Sequence, residues 1–225
     1  MELNADFTQN VVVRPSDNGW TPSPMPGVDR MMLDRIGDEV ARATTIVRFA
    51  PDSAFSPHTH DGGEEFVVLD GVFSDEHGDF PAGAYIRNPP TSSHTPGSKP
   101  GCVIFVKLWQ MHLDDRTHVR TATDKLGAVP DATRPGVHVA PLFKDAQEDV
   151  RLETWEPGAR AVVAAPNGAE ILIISGGLTL EGEALEPWTW IRRADGHAVE
   201  LAAGAGGAKL WIKTGHLVDV RAPRV

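Results

Sequence analysis

Laid on itself with a shift of 105 or 106 residues, the second half of this 225-residue chain matches the first at widely spaced positions. Pro51 falls on Pro157, Asp52 on Gly158, Glu64 on Glu170 and Gly71 on Gly177; Ile86-Arg87 fall on Ile191-Arg192, and Val106-Lys107 on Ile212-Lys213. Each match is weak alone, but a shared offset is the mark of two copies of one structural unit. The unit is built from short runs rich in Val, Ile, Phe and Trp, such as EVARATTIVRF, EEFVVLDG and CVIFVKLWQM. Turn signals separate them at Gly37-Asp38, Pro51-Asp52, Asp61-Gly62-Gly63, His77-Gly78-Asp79 and Pro100-Gly101. With 22 glycines and 18 prolines the composition favours strands and turns over long helices. The expectation is an all-β protein with an N-terminal domain at residues 1–117, a polar linker at 118–135 carrying one helical turn, and a second domain at 136–225, with residues 1–25 as a strap lying across the first domain or a dimer partner.

The first copy carries the chemistry. In PHTHDGGEEFVVLDG, His58 and His60 are two apart, so on a strand both side chains leave the same face. Asp61-Gly62-Gly63 supplies a tight reversal, after which the returning strand brings Glu64 back beside the imidazoles. His94 follows the rigid Pro89-Pro90 pair and completes the set. Three imidazoles and a carboxylate suit one divalent first-row metal: Zn or Fe, with Mn and Ni also compatible. An octahedral ion would keep two positions for a small-molecule ligand, whereas a tetrahedral zinc would be closed. Alternation puts Phe66 on the metal side and Glu65 on the solvated side, and Lys107 and Arg87 are further candidates for the cavity. At the repeat offset His58 becomes Ala164, His60 becomes Pro166 and His94 becomes Val199 or Glu200, so the second copy is expected to hold no metal.

These spacings resemble the two motifs of the cupin superfamily, which run G, five residues, HxH, three or four residues, E, six residues, G, and then G, five residues, PxGxxH, three residues, N. Asp52 and Thr91 stand where those motifs have glycine and Ser98 where the second has asparagine. The string GGEEFVVLDGVFSDEHGDFPAGAYIRNPPTSSH, with GCVIFVKLWQM after it, is similar to the cupin domain of ChrR-type anti-sigma factors and their stand-alone relatives. The resemblance implies two tandem cupin barrels of the jelly-roll, or double-stranded β-helix, type: a bicupin with a degenerate second copy. It also implies a sensory or regulatory role linked to oxidative stress. The HxxxCxxC of the sigma-binding zinc domain is absent, so a sigma factor is not an expected partner. The alternative is a mononuclear non-haem iron dioxygenase cleaving a small dicarbonyl of the acetylacetone type.

A formal net charge of -10, with scattered Lys and Arg, argues against nucleic-acid binding. The start MELNADFTQN lacks the basic and apolar regions of a signal peptide, and no apolar run reaches membrane-spanning length; the expected location is cytoplasmic. The single cysteine, Cys102, opens an apolar strand and reads as a small buried side chain. Long β edges make a homodimer plausible.

Overall fold

A computed structural model describes residues 1–223. It is 56% strand and 3% helix, so the chain is all-β as expected. The chain divides into two compact units, one made of Met1–Ala5, Gly19–Lys125 and residues 221–223, the other of Asp6–Asn18 and Leu126–Val220.

In the first unit the strands Val28–Gly37, Ala41–Phe49, Cys102–Leu108, Glu64–Asp75, Ala84–Asn88 and Val119–Ala122 lie side by side in that order, each antiparallel to its neighbour. Alternation decides what each strand buries. Phe66, Val68, Ile86, Ile104 and Val106 point to one side and meet Phe73, Ala84 and Cys102 in a closed apolar cluster. Each large side chain hidden there contributes about 1.5–3 kcal/mol. Glu64–Asp75 is long enough to serve two ladders. Up to Gly71 it pairs with Cys102–Leu108, and from Val72 with Gly78–Pro81. The first of these ladders carries a bulge between Val103 and Ile104, where Leu69 is the extra residue.

The second unit repeats the order, with Val137–Lys144, Asp149–Trp155, Val199–Thr214, Ala169–Leu180, Trp190–Arg193 and finally Val11–Val13. Its core gathers Trp155, Val163, Ile171, Ile173, Ile191, Val199, Leu210 and Ile212. Two expectations change here. The 118–135 stretch is not a plain linker: it contributes Val119–Ala122 to the first unit and Val129–Pro130 to the second, around a short turn of helix at Thr123–Lys125. The N-terminal strap is divided: Glu2–Leu3 and Thr21–Pro22 pair with Val28–Gly37 in the first unit, whereas Val11–Val13 pairs with Trp190–Arg193 and occupies in the second unit the edge that Val119–Ala122 occupies in the first.

Strand register corrects the repeat alignment. Phe66 opposes Ile86 as Ile171 opposes Ile191, and Arg87 opposes Glu65 as Arg192 opposes Glu170. Lys107 opposes Glu65 as Lys213 opposes Glu170. The counterpart of Glu170 is therefore Glu65 and not Glu64. Gly71 likewise corresponds to Gly176, since both have positive φ and both sit against a glycine carbonyl, that of Gly101 and of Gly207.

Candidate metal centre

His58–His60 and Ser92–His94 form a small antiparallel ladder in which His58 lies opposite His94. Pairing these segments brings the three imidazoles together, with ring centroids 4.7–5.0 Å apart. One nitrogen from each ring lies within 4.8 Å of the others, so the three histidines could hold a metal ion. Glu64 enters from the adjoining end of its strand. Its Oε2 is 3.4 Å from His60 Nε2 and 3.6 Å from His94 Nε2. His60, His94 and Glu64 are buried, while His58 is exposed and forms the solvent edge of the cluster.

The neighbours of these groups fix which atoms face inward. His94 Nδ1 lies 3.2 Å from Asp75 Oδ2 and His58 Nδ1 lies 3.3 Å from the Ser56 carbonyl, which leaves both Nε2 atoms turned to the centre. Asn88 Nδ2 donates to Glu64 Oε2 at 3.1 Å. Burial, reinforced by the adjacent His58, pushes the His60 imidazole down to about 4, and burial also lowers His94; both are neutral at neutral pH, the form able to bind a metal. Burial raises the Glu64 carboxyl, a tendency that a nearby cation would reverse. His60 Nε2 is buried with no hydrogen-bond partner among the described residues. Leaving such an atom unpaired costs about 1–3 kcal/mol, and a cation in the imidazole triangle would satisfy it. The donor set fits a divalent transition metal.

Not every residue singled out in the sequence reaches this place. Phe66 lies on the metal side and packs on Phe73, whose ring is 5.7 Å from that of His94. Lys107 and Arg87 do not. Both oppose Glu65 in the ladders, on the face turned away from Phe66. There Lys107 Nζ donates to Thr44 Oγ1 at 2.9 Å and Arg87 is paired with Asp115. Glu65 is not solvated either: it is 2% exposed and accepts a 2.6 Å hydrogen bond from Tyr85. Sequence reasoning missed Asp75 and Asn88. Asn88 could have been found as the residue facing Glu64 across a hairpin, but the bulge hid Asp75.

Among the described residues the second unit shows no such cluster. The ladder of Val163 with Val199 repeats that of His58 with His94, and the turn amides of Gly168 and Gly196 bond to the Ala165 carbonyl as those of Gly63 and Thr91 bond to His60. The ligand positions thus correspond to Val163, Ala165, Ala169 and Val199, all buried and apolar.

Residues 8–112 match the family model of the ChrR cupin-like domain. No curated protein matches the sequence. Among solved structures, a candidate dioxygenase from Nostoc punctiforme is 13% identical with a TM-score of 0.74, covering 97% of this chain and 87% of that one. The bacterial pirin YhhW from Escherichia coli, in complex with nickel(II), is 16% identical with a TM-score of 0.63, over 92% and 99%. A cupin 2 conserved barrel domain protein from Leptotrichia buccalis is 10% identical with a TM-score of 0.57, over 87% and 92%. At these identities the likeness is one of fold.

Proposed function

We propose, for a chain whose residues 8–112 match the ChrR cupin-like family model and whose whole length takes a cupin fold, that the first unit holds a mononuclear metal centre with a sensory or regulatory role. His58, His60, Glu64 and His94 are the ligands. The observation that carries this reading is the buried, unpartnered His60 Nε2 inside a triangle of imidazoles. Bound there, Zn, Fe, Mn or Ni would supply a Lewis acid, and an octahedral ion would keep positions for water or a small ligand. The chain's own contribution is to keep His60 and His94 neutral by burial, to turn the Nε2 atoms inward through Asp75 and Ser56, and to anchor Glu64 through Asn88. The family match supports the regulatory reading, because it falls on the half of the chain that carries the cluster.

A second reading, an iron-dependent dioxygenase acting on a small dicarbonyl, is favoured by one feature: His58 is exposed, so the centre has a solvent edge through which a substrate could arrive. The fold likeness to a candidate dioxygenase is consistent with it. Glu64 would be the candidate at the site to take up a proton, and only on leaving the metal. Elemental analysis of protein purified without added metal, followed by oxygen uptake with β-diketones, separates the two. Stoichiometric metal without oxygen uptake supports the sensor; stoichiometric iron with uptake supports the enzyme. A protein that binds no divalent metal even on reconstitution overturns both.

A further inference from the structure

We propose that Asp75 is the positioning residue of this centre: its carboxylate accepts the Nδ1 proton of His94 and so fixes the tautomer that presents Nε2 to the metal. The inference rests on the metal-centre reading given above. A carboxylate can only accept, so the 3.2 Å contact between His94 Nδ1 and Asp75 Oδ2 requires the proton on Nδ1. The carboxylate is itself held. Its other oxygen accepts the His77 backbone amide at 2.7 Å, and the side chain is fully buried. Such a partner orients a ligating imidazole and raises its basicity. His58 is oriented by a neutral carbonyl and Glu64 by a carboxamide, so His94 is the ligand to which this contact adds a negative charge.

The repeat supplies an independent argument. Asp75 opposes Gly78 across its hairpin as Leu180 opposes Glu183, so Leu180 is the counterpart of Asp75 in the second unit. Leu180 packs against the apolar core that includes Val163 and Val199, the counterparts of His58 and His94. Buried charges unconnected with the cluster behave differently: Glu65, Arg87 and Lys107 recur as Glu170, Arg192 and Lys213. The carboxylate at 75 is absent where the imidazoles are absent, and a purely architectural role would not require that.

The test uses the full chain and two variants, Asp75→Ala and Asp75→Asn, with folding checked by circular dichroism. Long-range proton–nitrogen spectra of the imidazoles in chelator-treated protein report the His94 tautomer directly, and competition with a chromophoric chelator reports zinc affinity. The expected result is the Nδ1–H tautomer in the parent, its loss in Asp75→Ala, and a ten- to hundredfold weaker zinc affinity in that variant. Asp75→Asn, whose carboxamide oxygen can accept the same bond, should restore the tautomer and most of the affinity. An unchanged tautomer with zinc affinity within twofold of the parent overturns the proposal. Should Asp75→Ala not fold, the parent spectrum still decides, since an Nε2–H His94 would overturn it. A parent that binds none of zinc, iron, manganese or nickel would sink the metal-centre reading, while the tautomer measurement would still judge the role of Asp75.

Discussion

Two adjacent glutamates illustrate how much one step along a strand decides. Glu64 looks into the imidazole cluster; Glu65, on the opposite face, is locked to Tyr85 and lies across from Lys107 and Arg87. Substitution should therefore separate binding from stability. Glu64→Gln is expected to weaken metal binding at least tenfold with little loss of stability in metal-free protein. Glu65→Gln should leave metal affinity unchanged and cost about 2–4 kcal/mol in urea denaturation, because it removes one partner of a buried charged network. A Glu65→Gln protein that loses its metal would show that the register is wrong by one residue. Cys102 tests burial at the same scale. The apolar surroundings push its thiol up to about 11, and the residue is 3% exposed. The thiolate appears only as the pH rises towards that value, so at pH 8 about one molecule in a thousand carries it. Ellman's reagent should report no reactive thiol in native protein at pH 8 and one per chain after denaturation. Prompt labelling of native protein would show the site to be open.

At the scale of the element, the strand Glu64–Asp75 determines most of the first unit, and Gly71 is where it bends. A β-carbon at Gly71 would lie 2.0 Å from the Gly101 carbonyl oxygen, and the residue has φ of +69°. Gly71→Ala should cost more than about 3 kcal/mol, whereas Gly78→Ala, at φ of +135° but with nothing within 4 Å, should cost clearly less. Equal losses would mean that backbone conformation alone governs this bend. Thr91 is the converse case. It holds φ of +74° where its counterpart in the second unit is Gly196 at +73°. A β-branched residue is strained there, so Thr91→Gly should raise stability by about 1 kcal/mol, measured by urea denaturation of metal-free protein. The same strand shows what could be read from sequence and what could not. The convergence of His58, His60 and His94 on one place was legible because HxH spacing, a tight turn and a proline-bounded return are local signals. Asp75 was not. The bulge inserts one residue between Val68 and Asp70, so the inward positions change from 64, 66 and 68 to 73 and 75. Simple alternation would have placed Asp75 outside, and it placed the buried Glu65 in solvent because it cannot tell a wet face from a second packed one.

For the whole chain, the repeat carries the functional asymmetry. Self-alignment at the 106-residue offset equates Glu64 with Glu170 and leaves one carboxylate in the second copy; register shows instead that the counterparts of His58, His60, Glu64 and His94 are Val163, Ala165, Ala169 and Val199. A copy that lost one ligand at a time would keep buried, unpaired imidazoles, each costing about 1–3 kcal/mol. Apolar side chains remove that cost and join the core. Two results should follow. Metal analysis of the loaded protein should give one equivalent per chain, lost in His60→Ala. Val199→His should add no second equivalent, because a single imidazole among Val163, Ala165 and Ala169 has no companion donors, and it should destabilise the chain by about 2 kcal/mol or more by placing a polar ring in the apolar cluster around Leu201 and Val163. Chelation should lower the melting temperature of the parent, since a ligand that binds only the native state stabilises it, and leave that of His60→Ala unmoved. Two equivalents of metal in the parent, or a melting temperature of His60→Ala that still falls on chelation, would place a working centre outside the imidazole triangle of the first unit.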